Sequence, residues 1–152
     1  MGSNDREKMI LLLEDNDNII FTLKNMAERL EYTIAQTQKF TTADYLIENR
    51  PKLESFNFLI VDLSIPGNYE GYFTVDETEE LNRLSGNIRL SGWIWLKRFL
   101  KIHPEVKGKL IVLSAYLHYL PESEKEKYKQ DVIFLDKTPP ETIVELNRLL
   151  SR

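Results

Sequence analysis

At 152 residues the chain is long enough for one domain with a hydrophobic core and short for two. Its composition, 42% hydrophobic and 29% charged, is that of a folded globular protein, and a net charge of −4 carried by interspersed acidic and basic residues leaves no broad positive surface, so neither nucleic acid nor an anionic membrane is expected as a partner. The absence of cysteine removes thiolate catalysis, disulfides and cysteine metal sites, and His103 and His118, the only histidines, have no spaced partner set that would make a zinc site.

Residues 1–8 are polar and read as a flexible N-terminal segment, which leaves 9–151 as the folded unit. No secretory signal and no apolar run of membrane-spanning length follows, so the expected location is cytoplasmic. The run "MILLL", Met9 to Leu13, stops at Glu14 and Asp15 and predicts a strand covered on both faces, as in parallel sheets. From Ile19 to Leu30 apolar residues recur at helical spacing, with Lys24, Glu28 and Arg29 left for solvent. A short strand over Tyr32–Thr37 and a helix over Phe40–Asn49, stopped before Pro51, come next. "FLIV", Phe58 to Val61, is a second doubly buried strand ending in a carboxylate, Asp62.

The stretch from Ser64 to Ser91 is far longer than a strand-to-helix loop of about two to six residues. "VDETEELNRLSGN" within it predicts a short charged helix, started by Asp76 or Thr78 and ended by Gly86-Asn87. Beyond it, Gly92 to Ile102 is amphipathic and ends before Pro104, with His103 as a cap. Trp93 and Trp95 lie about 200° apart around such a helix, so one is expected in the core and the other against the long connection or a partner. Tyr69, Tyr72 and Phe73 are expected to anchor the connection. "LIVLSA", Leu110 to Ala115, and "VIFL", Val132 to Leu135, are two more strands, the latter ending at Asp136 and Lys137. Between them "PESEKEKYKQD" predicts a thin, exposed helix with almost no apolar face, and Pro140 to Leu150 a final amphipathic one. Alternating strands and helices make an α/β fold around a parallel sheet, and right-handed crossovers bring every strand's C-terminal end to one edge.

Glu14, Asp15 and Asp62 therefore converge where open parallel sheets bind ligands. Three carboxylates in a crevice repel one another unless protonated or neutralised by a cation, and an oxygen-only donor set suits Mg²⁺, with Mn²⁺ as the alternative. Ser114 and Lys137 end the fourth and fifth strands, so a hydroxyl and an ammonium join the carboxylates. A cation, a lysine and a hydroxyl around one carboxylate are what a phosphorylated aspartate needs.

This constellation, "LLLEDN", "FLIVDLSIPG", "IVLSA" and "FLDK" in order along nearly the whole chain, resembles the receiver domain of two-component response regulators. The resemblance implies a flavodoxin-like, doubly wound five-stranded sheet of order 2-1-3-4-5, with an insertion at about 68–90 between the third strand and the third helix of the family. It implies Asp62 as phosphoacceptor; Glu14, Asp15, Asp62 and the Ser64 backbone carbonyl as metal ligands; Ser114 and Lys137 as phosphoryl-binding groups; and Phe134 as the switch aromatic. It also implies Mg²⁺-dependent phosphorylation by a histidine kinase or histidine phosphotransfer protein, autodephosphorylation, and a changed surface around Tyr116–Asp131 that meets a downstream protein target. The chain stops after the last helix, so output is expected through protein contact, and the insertion is expected to select partners or to pack against a second copy in a homodimer. Lys137-Thr138-Pro139-Pro140 departs from the family's Lys-Pro pair and makes a cis Thr138-Pro139 bond one expectation. A phosphorylation-independent pseudo-receiver acting as an interaction module is the alternative. A flavodoxin-like electron carrier lacks the phosphate cradle here, and a small Mg²⁺ hydrolase lacks a substrate-binding cap.

Overall fold

The computed structural model describes residues 8–49, 56–67, 71–84, 88–106, 109–137 and 141–151. Five strands, β1 (Lys8–Leu13), β2 (Tyr32–Thr37), β3 (Phe56–Val61), β4 (Leu110–Ser114) and β5 (Val132–Asp136), form one parallel sheet in the order β2-β1-β3-β4-β5. Among the described residues six α-helices accompany them: α1 (Asp17–Arg29), α2 (Phe40–Glu48), α3 (Val75–Leu84), α4 (Ser91–Ile102), α5 (Glu122–Tyr128) and α6 (Glu141–Leu150). The expected topology is thus the observed one. Lys8 belongs to β1 rather than to the leading segment, and the Thr138-Pro139 bond lies outside the described residues.

Alternation along the strands builds two cores from single apolar runs. Met9, Leu11 and Leu13 of β1 join Leu59 and Val61 of β3 in the core that includes α2 and α4 residues. Ile10 and Leu12 join Ile60, Ile111 and Leu113 with buried residues of α1 and α6 on the opposite face. β3 starts two residues earlier than the run Phe58–Val61 implies. The register slips between Met9 and Ile10, where Met9 pairs with Phe56 and Ile10 with Phe58. The skipped Asn57 lends its side-chain oxygen to the Met9 N–H at 3.0 Å, so a polar residue is accommodated without an orphaned backbone donor.

The long connection after β3 carries α3, and its start corrects the expectation. Thr74 caps it instead of Asp76 or Thr78: the Glu77 N–H donates to Thr74 Oγ1 at 3.1 Å and the Thr74 N–H to Glu77 Oε1 at 2.9 Å, a reciprocal capping box. Its expected end, Gly86-Asn87, and Tyr69 lie outside the described residues. Leu81 and Leu84 are buried in the same core as Phe73 and Leu90, while Tyr72 stacks on Phe40 of α2 at 5.5 Å, so Tyr72 and Phe73 do anchor the connection.

Trp93 and Trp95 diverge to different flanks of α4 as expected, Trp95 sharing Asp44 with Tyr72 of the long connection, and both are buried, at 0% and 1% exposure. Packing on both flanks of α4 leaves neither for an outside partner. Trp93 meets Tyr128 of α5 and Phe134 of β5 with ring centroids at 5.2 and 5.7 Å, and Trp95 meets Phe40 of α2 at 6.3 Å. Each indole N–H donates to a carboxylate, Trp93 to Glu124 at 2.9 Å and Trp95 to Asp44 at 3.0 Å, which satisfies the one polar atom of each ring. Helix α5 contributes no buried residue, as its sequence predicts. His103 caps α4, its N–H donating to the Phe99 carbonyl at 2.8 Å. No helix among the described residues is long and apolar enough to cross a membrane.

Candidate functional site

The first strand turns the chain into the site through local hydrogen bonds. Glu14, directly after β1, is held by its own N–H donating to the Thr37 carbonyl at 3.0 Å and by Gln36 Nε2 donating to its carbonyl at 2.9 Å. Its side chain folds back over the loop, where Oε1 accepts the N–H groups of Asp15 (3.1 Å) and Asn16 (3.0 Å). Asn16 then caps α1 by accepting from the Ile19 N–H at 3.1 Å. On the neighbouring strand the Asp62 N–H donates to the Leu13 carbonyl at 3.1 Å, which continues the β1–β3 ladder by one step and sets Asp62 beside Glu14.

Both side chains are nearly inaccessible, Glu14 at 1% and Asp62 at 3%. With half-buried Asp15 they form a triad in which one carboxylate oxygen from each lies within 4.8 Å of the others. Lys137, immediately after β5, reaches across: its ammonium is 2.8 Å from Asp62 Oδ2 and 2.9 Å from Glu14 Oε2. Its backbone is fixed by an N–H bond to the Ser114 carbonyl at 3.2 Å.

One lysine facing three carboxylates leaves the pocket with excess negative charge. Burial pushes the Glu14 carboxyl up to about 7, and the charge of Asp62 pushes the same way against the pull of Lys137. Burial alone would pull the Lys137 ammonium down, yet Asp62 and Glu14 outweigh it and the group is raised above its ordinary value. A further cation of oxygen-ligand type fits this arrangement: hard donors converge, and one lysine faces them.

The other expected residues sit at the same edge with different partners. Ser114 is buried at the end of β4, and its Oγ accepts the Tyr116 N–H at 3.0 Å. Val61 pairs with Val112, which puts Ser114 one step further along its strand than Asp62. Ser64 is half-buried, with its N–H 3.4 Å from Asp62 Oδ1. Phe134 is half-buried and packs against Trp93, two positions before the Asp136 that pairs with Ser114. His118 lies in a short turn after β4, its ring 4.2 Å from that of Tyr119.

Sequence reasoning missed Ser91 and Gly92. They open α4 and touch the acceptor loop directly: the Gly92 N–H donates to the Leu63 carbonyl at 2.8 Å, and Ser91 Oγ donates to the Ile65 carbonyl at 2.9 Å. The only signal was a pair of small residues opening an otherwise bulky apolar helix. An open cavity of about 550 Å³ lies alongside, lined by residues of the α2 start, by Ile65, Pro66 and Gly67 of the acceptor loop, and by Tyr72; none of the three carboxylates lines it.

No protein-family model matches the sequence, and no curated protein is significantly similar to it. Solved structures do match in fold. The non-phosphorylated receiver domain of HemR from Leptospira biflexa superposes with a TM-score of 0.61 at 19% identity, covering 96% of each chain. A receiver domain from Clostridium thermocellum gives 0.61 at 18% identity, over 94% of this chain and 90% of that one. The response regulator TrrA from Thermotoga maritima, solved in complex with Mg²⁺-BeF, gives 0.59 at 21% identity, over 93% and 98%. The chain therefore has the fold of response-regulator receiver domains along nearly its whole length.

Proposed function

We propose that the chain is a signalling receiver, residues 9–151 with an insertion at about 68–90, in which Asp62 accepts a phosphoryl group from a histidine kinase or a histidine phosphotransfer protein. The observation that carries the reading is the buried Glu14–Asp62 pair at the exits of adjacent strands, sharing one lysine and still short of positive charge. The receiver fold supports it, as does the Mg²⁺-BeF complex of TrrA.

In the proposed reaction an Asp62 carboxylate oxygen attacks phosphorus, the P–N bond to the donor imidazole breaks, and the imidazole keeps the electron pair and takes a proton. The acyl phosphate is later lost when water attacks phosphorus and the P–O bond to Asp62 breaks. Glu14, Asp15, Asp62 and the Ser64 carbonyl would hold Mg²⁺, which when bound supplies charge neutralisation for the anionic carboxylates and the incoming phosphoryl oxygens. Lys137 already stands at Asp62 and has only to exchange a carboxylate oxygen for a phosphoryl oxygen. Ser114 Oγ accepts the Tyr116 N–H and keeps its own O–H to donate to the same group. Recruitment of Ser114 favours a second arrangement of the Tyr116–Asp131 surface, where Trp93 packs between Phe134 and Tyr128 of α5, and so shifts a population between two conformations that a protein target reads.

The test is intact-protein mass after exposure to acetyl phosphate with Mg²⁺, beside a metal-free control and Asp62→Asn. A Mg²⁺-dependent gain of about 80 Da, the mass of one phosphoryl group, that disappears in the variant is the expected result. A folded protein that neither binds Mg²⁺ nor gains mass would be a pseudo-receiver, an interaction module whose lysine permanently substitutes for the metal.

A further inference from the structure

Ser91 and Gly92 stand 26 positions or more after the acceptor loop they touch, beyond the whole of the long connection. The loop from Asp62 to Ile65 has four consecutive backbone units to place. Its start is tied to β1 by the Asp62 N–H. Two of the remaining residues are tied to α4: Leu63 through its carbonyl, and Ile65 through both its N–H, 3.1 Å from Ser91 Oγ, and its carbonyl, 2.9 Å from the same oxygen. Ser91 is completely buried, so water cannot substitute for its hydroxyl.

Gly92 sets the distance of approach. A Cβ at that position would lie 1.9 Å from the Asp62 carbonyl oxygen and 3.1 Å from that of Leu63. These are backbone atoms, so a side chain there displaces the acceptor residue itself. Leu63 and Ile65 are buried at 0% and 2%, which pins the loop from its other side as well.

We infer that Ser91 and Gly92 are positioning residues for the metal and phosphoryl pocket: they hold the backbone on both sides of Ser64 and so aim its carbonyl and the Asp62 carboxylate. The inference rests on the phosphoacceptor reading and adds to it an explanation of how a long insertion is tolerated. The connection departs at Ile65 and returns at Ser91, and these two residues are bonded to each other. The pocket is shaped by the closure of that loop, whatever the loop contains.

The experiment is calorimetric titration of the full chain with Mg²⁺ alone, for wild type, Ser91→Ala, Ser91→Cys and Ser91→Thr, with unfolding midpoints in EDTA to establish that each is folded. Supporting groups around a metal typically control affinity by about 10- to 100-fold, so the Ala and Cys variants are expected to bind about tenfold more weakly. Ser91→Thr, which keeps the hydroxyl, restores binding to near the wild-type value. A purely structural serine would lower the midpoints and leave the Mg²⁺ affinity alone. Ala and Cys variants that bind Mg²⁺ within about twofold of wild type overturn the positioning role while the phosphoacceptor reading stands. A wild-type protein that binds no Mg²⁺ removes the reading and, with it, the inference.

Discussion

Two charge networks lie in this molecule, and they differ in how well they are balanced. In the belt around α4, every carboxylate is met by more than one donor. Glu77 takes a two-point contact from Arg98, with Nε at 2.8 Å from Oε2, and Lys97 bridges Glu80 of α3 and Glu124 of α5, the latter at 2.9 Å. The Arg98 contacts hold the Glu77 carboxyl below its ordinary value. Burial pushes Glu124 up, but the Trp93 N–H and Lys97 outweigh it and that group too is lowered. In the pocket the balance is reversed: burial and Asp62 raise Glu14 to about 7 although Lys137 is bonded to it. A carboxylate kept ionised by its neighbours fastens elements together. One driven toward neutrality marks a candidate functional site.

The contrast is open to direct attack. Lys137→Met should have the largest effect, because it strips the ammonium shared by two buried carboxylates; a loss of about 3 kcal/mol in metal-free urea unfolding is expected. Mg²⁺ should recover part of that loss where K⁺ at equal ionic strength does not, and equal losses with and without Mg²⁺ would reduce the pocket to a structural ion pair like those of the belt. Next in size is the pH response. Because folding raises Glu14 from its ordinary 4.5 to about 7, the folded state holds the extra proton between those values. Its stabilising contribution is complete below about pH 4.5 and disappears as pH rises through about 7. Urea midpoints in EDTA should therefore fall over that interval, by on the order of 2 kcal/mol in stability, and Glu14→Gln should flatten the curve.

Smaller effects belong to the belt. Arg98→Met should cost about 1–2 kcal/mol and be indifferent to Mg²⁺. The sign of its pH dependence is opposite to that of Glu14: the lowered Glu77 stabilises above the ordinary carboxylate range and loses that contribution as pH falls, so the variant should give up less stability on acidification. A larger acid sensitivity in the variant would show that the contact does not hold Glu77 ionised. Glu80→Gln is expected to be the mildest, within about 0.5 kcal/mol by thermal unfolding, because Lys97 keeps Glu124.

The pocket was more legible in the sequence than the belt. Glu14 and Asp62 follow apolar runs that form interior strands and Lys137 follows the edge strand β5, and in a parallel sheet built by right-handed crossovers every strand's C-terminal end lies on one edge, so their placement follows from the fold class. That logic fails for helices whose surroundings are set from far away. The divergence of Trp93 and Trp95 was legible, but not which elements cover them: α2 on one flank and α5 with β5 on the other. The start of α3 was misplaced because Asp76 and Thr78 are as good caps in composition as Thr74, and only the reciprocal bond with Glu77 selects among them.

What the sequence determined alone is the alternation of buried strands with amphipathic helices, hence the parallel sheet and the edge on which its polar residues gather. Strand burial is a local property, written in uninterrupted apolar runs. Only the tertiary structure decided that Glu14 carries a raised carboxyl, that Ser114 Oγ accepts the Tyr116 N–H, and that Ser91 and Gly92 grip the acceptor loop. Each of these depends on distances between groups well separated along the chain or on which of several local bonds is made, and such distances exist only once the sheet has assembled and the long connection has closed on itself.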